Sequence, residues 1–244
     1  TDDTDDTAGT TVEAGDSIVD NTTNATFRVT STKSKTVEYT VAGNKSSVVV
    51  VPQTVTVNGE AYKVTSIASN AFKNDKTITS VTIGSNVKTI GDSAFKNCTK
   101  LSKVVIGKNV TKISANAFYG CKKLTTVSIP SKVTTIGTKA FYNCTSLKSV
   151  VMQSKLTTIG ASAFYKCTKL TSITIPANVK SIGSKAFYGC KNLKKITIKT
   201  TKLTSKKVGS SAFKGIYSKA TIKIPSKKAA SYKKILKSKG VKST

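Results

Sequence analysis

Six phenylalanines, Phe72, Phe95, Phe118, Phe141, Phe164 and Phe187, follow one another at a constant interval of 23 residues. Five cysteines, Cys98, Cys121, Cys144, Cys167 and Cys190, keep the same interval, each three residues behind a phenylalanine. A period held this strictly describes stacked, near-identical coils, not a chain folded around one central core. It constrains function too, because a stack of equal coils offers a long surface for holding a partner and seldom a single chemical site.

Within one unit, residues 101–123, the apolar positions are Leu101, Val104, Ile106, Val110, Ile113, Ala117, Phe118 and Cys121. Val104 and Ile106 show the period of two of a strand whose alternate side chains point inward. Ala117, Phe118 and Cys121 have helix-like spacing, which predicts a short helical turn on the opposite side of the coil. Gly91, Gly137, Gly160 and Gly183 recur just ahead of that turn, where a special backbone conformation or a close approach would favour glycine. A lone coil would leave both open faces in water, so stacking is obligatory and both ends need caps.

The flanks supply those caps. Residues 1–25 are acidic, rich in Thr and Asp and poor in large apolar residues, and read as a disordered leader. Residues 26–63 hold β-rich runs, TFRVT, TVEYTV and SVVVV among them, with Asn58-Gly59 marking a hairpin, and form the N-terminal cap. The repeats occupy residues 64–225, opening on a partial unit at Val64, Ile67, Ala71 and Phe72 and closing on an irregular unit from Leu193. Residues 226–244 form a helical cap and tail, with Ser226 as candidate N-cap, Gly240 as the stop, and an apolar face of Ala229, Tyr232, Ile235 and Leu236.

Charge is distributed unevenly. Lys+Arg number 40 against 11 Asp+Glu, a net charge of +29, yet Asp92 is the last acidic residue. Residues 1–92 therefore carry −3 and residues 93–244 carry +32. Such a surface suits an anionic polymer or membrane; equally, it is a solubilising lysine coat. A specific nucleic-acid surface is not expected, since Arg28 is the only arginine and no lysine cluster interleaves with arginine and base-stacking aromatics. No apolar run approaches the roughly 18 residues of a membrane span. The chain opens at Thr1 without a secretion signal, which looks like a mature or trimmed form.

The cysteines would stack about 4.8 Å apart inside the coils as small apolar fillers. Their odd number argues against systematic disulfides, and the absence of histidine and of any CxxC pair argues against zinc. Tyr119, Tyr142, Tyr165 and Tyr188 form a second row, which either covers the surface with half-buried rings or grips sugars. The outward strand positions, Ser80, Thr82, Lys103, Val105, Thr126, Ser128, Ser149, Val151, Ser172, Thr174, Lys195 and Thr197, form the candidate binding face. It is small, hydroxyl-rich and mildly basic, without the aromatic or arginine anchors of tight interfaces. Chemistry has little to work with. Without histidine no Ser/Cys–His mechanism is available, carboxylate pairs are confined to the N-terminal region, and no phosphate-cradling glycine loop is present. No cofactor or metal is expected.

The unit LxxVxIxxxVxxIGxxAFxxCxx resembles the BspA-type leucine-rich repeats of bacterial surface proteins, the AF–Cys segment and the Ile-Gly step carrying the likeness. Departures are mild: Met152 and Gln153 replace the usual strand-end pair, and Ile216 takes the last cysteine position. The resemblance implies an α/β fold, a right-handed solenoid with a parallel sheet on its concave side and short helical turns on its convex side. It further implies display outside the cell for adhesion or contact with an unidentified protein or glycan, and no enzyme.

Overall fold

The computed structural model describes residues 11–43 and 46–243. Six strands precede the repeats: β1 (Ser17–Val19), β2 (Thr26–Ser31), β3 (Thr36–Val41), β4 (Val48–Val51), β5 (Thr54–Val57) and β6 (Glu60–Ile67). β5 and β6 form the expected hairpin, with Val57 opposite Glu60 and both turn residues left-handed, Asn58 at φ 47° and Gly59 at φ 76°. Two left-handed residues in a two-residue loop match the right-handed twist of the strands they join. The leader requires a correction. Its second half is not wholly unstructured, because β1 pairs antiparallel with β2 and places Ile18 opposite Phe27. Residues 1–10 lie outside the described residues.

Each full unit contributes two strands, as β7 (Ser80–Ile83) and β8 (Thr89–Ile90) show. Equivalent strands of successive coils pair in parallel. The second strands make an unbroken ladder in which Ile67, Ile90, Ile113, Ile136, Ile159 and Ile182 lie in register. The first strands form three segments. One joins β4, β7 and Lys103–Val105, the next Thr126–Ser128 and Ser149–Val151, the last Ser172–Ile175, Lys195–Ile198 and Thr221–Lys223. The cap seeds both ladders, β4 leading the first strands and β6 the second.

The Ala-Phe segment departs from expectation. No helix forms there; the chain makes consecutive turns, with i→i−3 bonds from Ala94 to Gly91, Lys96 to Ser93 and Cys98 to Phe95. Ser93 and Asn97 between them are left-handed, at φ 57° and 60°. Left-handed residues four positions apart stop a helix, and every second N–H turns towards the next coil. Thus Ser93, Phe95 and Asn97 donate to the carbonyls of Ala115, Ala117 and Tyr119 at 2.9, 2.8 and 2.7 Å. The glycines ahead of these turns answer to close approach, since none of them has positive φ. A Cβ on Gly137 would lie 2.6 Å from the Ser114 carbonyl carbon of the preceding coil. Ser114, the one non-glycine of the five, accommodates its side chain with a looser bond, 3.1 Å to the Ile90 oxygen against 2.8 Å for Gly137 to Ile113.

Phe72 to Phe213 stack in one buried column, with centroids 4.8–5.4 Å apart and planes within 9°. The cap extends the column. Tyr39 stacks on Phe72 at 5.1 Å, and Phe27 meets Tyr39 edge-on at 5.0 Å. At the other end α1 (Ala229–Ser238) closes the stack, burying Tyr232 and Leu236. The Tyr232 hydroxyl donates to the Thr200 carbonyl at 3.0 Å and accepts from the Leu203 N–H at 3.1 Å. Ser226 is not the helix N-cap: it opens a 3-10 turn over Ser226–Lys228, and α1 follows from Lys228 without a side-chain cap. Gly240 does stand just past the helix, left-handed at φ 104° and against the backbone of Lys214.

Candidate binding surface

Alternation along the first strands decides what solvent meets. Val81 and Ile83 of β7 point into the core while Thr82 is exposed and Ser80 half-buried, and later coils repeat the pattern. Register then lines the outward residues into two columns. One runs Val48, Ser80 and Lys103, continues with Thr126 and Ser149, and ends with Ser172, Lys195 and Thr221. The other holds Val50, Thr82 and Val105, then Ser128 and Val151, then Thr174, Thr197 and Lys223.

The structure adds to this face what the sequence left out. Val48 and Val50, belonging to the cap, head the two columns at 58% and 61% exposure. With Val105 and Val151, Val50 gives the second column a recurring apolar side chain, separated by Thr82 and Ser128. The run SVVVV is the signal that could have found them, but only a register with Ser80 puts them on this face. The ladder breaks directly after Lys103–Val105 and Ser149–Val151. At those steps the N–H of Thr125 and Thr171 reach back at 3.3 and 3.4 Å, whereas Lys148 and Lys194 bond at 2.8 and 2.9 Å.

The tyrosines form a second, parallel column on the turn side. Tyr119, Tyr142, Tyr165 and Tyr188 stack at 4.7, 4.6 and 5.1 Å with planes within 6°, each ring half-buried. Their faces are consumed by one another, so most of the row presents only ring edges and hydroxyls. At one end Lys96 places its Nζ 5.1 Å from the Tyr119 centroid and covers the terminal face.

The five cysteines are free and fully buried. Each donates its S–H to the carbonyl of the phenylalanine one coil back, as Cys98 does to Phe72 at 3.0 Å and Cys144 to Phe118 at 3.2 Å. Burial pushes the thiols of Cys98, Cys144 and Cys190 up to about 12, far from a nucleophile's range. Among the described residues, no three His, Cys, Asp or Glu side chains gather as a metal-ligand set. Both ion pairs among them, Arg28–Glu38 and Lys35–Glu60, lie in the cap. Asp75, at the cysteine position of the partial unit, instead accepts from the backbone N–H of Thr77 and Ile78 at 2.7 and 3.2 Å. No helix among the described residues is long and apolar enough to cross a membrane.

A tandem of parallel coils with a 23-residue Phe/Cys column and paired strand ladders defines a leucine-rich-repeat solenoid. The chain belongs to the BspA type leucine rich repeat family, whose pattern matches residues 65–193 and 157–239 in six copies. Solved structures place it among bacterial proteins. The leucine-rich repeat protein of T. pallidum shares 27% identity, over 84% of this chain and 90% of that one, at a TM-score of 0.70. One from Bacteroides ovatus shares 30% over 83% of this chain and 58% of its own length, at a TM-score of 0.60. A leucine rich cell surface protein from Faecalibacterium prausnitzii shares 28% over 78% of this chain and 56% of its own, at 0.55. Among curated proteins none matches. Repeats of this kind act as scaffolds for protein interaction.

Proposed function

We propose that the chain is a non-enzymatic module displayed on a bacterial cell surface, which holds an extended protein or glycan along its first-strand face. The observation that carries this reading is the pair of outward columns that run from Val48 and Val50 to Thr221 and Lys223 through three paired segments, with four exposed valines that no described element covers. Such a surface repeats one weak contact many times, which suits an extended ligand better than a compact one. The outer-surface setting draws on the Faecalibacterium relative, described as a cell surface protein. An array of matrix proteins, glycans and bacterial surface components tests it. Val105→Lys with Val151→Lys should abolish capture of any ligand held on this face and leave the melting temperature unchanged; unaltered capture refutes the assignment of the face.

A second reading has its own observation. Residues 93–244 carry +32 with no carboxylate side chain to neutralise it, so this body also suits an anionic wall polymer or other polyanion. Affinity for such a ligand should fall nearly linearly in log–log form with added salt, and salt-insensitive binding excludes this version.

A further inference from the structure

The two ends of the tyrosine column differ. Lys96 lies over the outer face of Tyr119, but over the outer face of Tyr188 no ring stacks and no ammonium sits among the described residues. The next coil has Lys214 at the tyrosine position, followed by Gly215. Gly189 and Gly215, left-handed at φ 71° and 78°, put no side chain in the space beside the ring. What remains is a groove of about 560 Å³, lined by Tyr188, Lys166, Lys191, Lys214, Lys242 and Asn143 among others.

We infer that this groove is a binding site for an acidic oligosaccharide. Resting on the electrostatic reading above, the inference gives it a place and a ligand chemistry. Lys191, Lys214 and Lys242 are exposed, and none of the groove's four ammonium groups has a carboxylate partner among the described residues. They can neutralise sulfate, phosphate or carboxylate substituents without first breaking an ion pair. The open face of Tyr188 supplies a flat platform for the apolar side of a sugar ring. The Asn143 amide and the hydroxyls of Thr145 and Thr168 line the same space and suit sugar hydroxyls. A polynucleotide is the poorer match. It would use a series of rings for successive bases, and here the faces of Tyr119, Tyr142 and Tyr165 are already occupied by stacking.

Titration with a size-defined sulfated oligosaccharide and with a phosphodiester-linked wall oligosaccharide distinguishes a host-type from a wall-type source; a neutral oligosaccharide and single-stranded DNA serve as comparisons. For whichever acidic oligosaccharide binds, K191Q/K214Q should weaken binding at least about tenfold and lower the salt slope by about two. Tyr188→Ala should weaken it by about fivefold or more, leaving the salt slope in place. K108Q/K155Q removes equal charge from the turns that follow the first strands, and should change affinity less than about twofold. Melting temperatures confirm that each variant folds. Equal losses from the two lysine pairs would overturn the groove while sparing the electrostatic reading, and failure of the unaltered chain to bind either acidic ligand at low salt would end both. DNA binding as tightly through the same residues, or the neutral sugar binding equally well, would refute the ligand class.

Discussion

Phe118 and Tyr119 are neighbours in one turn, and each begins a step in a column of face-to-face rings. The phenylalanine rings stack at 4.8–5.4 Å and the tyrosine rings at 4.6–5.1 Å, so as geometry the two columns are nearly the same. Environment separates them. Each Phe is at most 2% exposed and lies with the cysteines and isoleucines of the core, whereas each Tyr is half in water. Stacking geometry therefore does not by itself report stability. The inner column fills the solenoid, while the outer one dresses its surface, and the chain can vary the second without unfolding the first. The ends show this: Lys96 and Lys214 take the tyrosine position, while the phenylalanine position holds Phe95 and Phe213 throughout.

The sharpest way to break the inner column is to charge it. The thiols are pushed well above their ordinary 9.0 by burial, Cys144 to about 12, so the native state holds protons that the unfolded chain releases above about pH 9. Their contribution is fully present below that pH and is lost as pH rises towards 12. The slope is about 1.4 kcal/mol per thiol per pH unit, so five thiols together outweigh a single side-chain deletion. Urea midpoints should fall steeply between pH 9 and 10.5, and Cys144→Ala should make that fall shallower by one proton's worth. An identical slope in the variant would show that the thiols are not its source. At neutral pH none of the five should react with a thiol reagent until the chain unfolds.

Next comes Phe141→Ala, which removes a fully buried ring from between Phe118 and Phe164. Chemical denaturation should show a loss of about 3–5 kcal/mol, the usual cost of emptying such a site. A loss below about 1 kcal/mol would mean that the coils collapse to fill the gap. The effect should be transmitted, because a solenoid's stability is shared between neighbouring coils.

Much of this was legible in the sequence, and what was not has physical reasons. Identical residues at a fixed interval can be buried together only by stacking coils, so the Phe and Cys columns follow from spacing alone. Asn58-Gly59 announces its hairpin because few other residues tolerate two left-handed positions. The turn at Ala117, Phe118 and Cys121 reads as helical because a helix and a chain of β-turns bury the same three positions. The discriminating signal lies outside the apolar set, in Asn116 and Gly120, left-handed at φ 55° and 70°. β1 escapes notice because its three residues acquire meaning only against β2. On the candidate face, the outward residues of each coil follow from alternation. That Val48 and Val50 join them depends on a register with β7 that no local pattern encodes.

The smallest effect belongs to the outer column, and it completes the comparison. Tyr142→Ala removes a ring stacked on both sides, by Tyr119 at 4.7 Å and Tyr165 at 4.6 Å, from the same turn and the same coil as Phe141. Two stacking contacts in water and a half-buried ring predict a loss of about 1 kcal/mol, severalfold below that of Phe141→Ala. Phe141→Ala and Tyr142→Ala measured by the same denaturation therefore test the separation of the columns directly. Equal losses would mean that the tyrosine row is part of the core. The raised phenol of Tyr142 adds a second readout. Its first cause is partial burial and its next the neighbouring phenols of Tyr165 and Tyr119. Tyr165→Phe should accordingly bring the alkaline titration of Tyr142 down towards 10.0, while leaving stability at neutral pH within about 0.5 kcal/mol of the original.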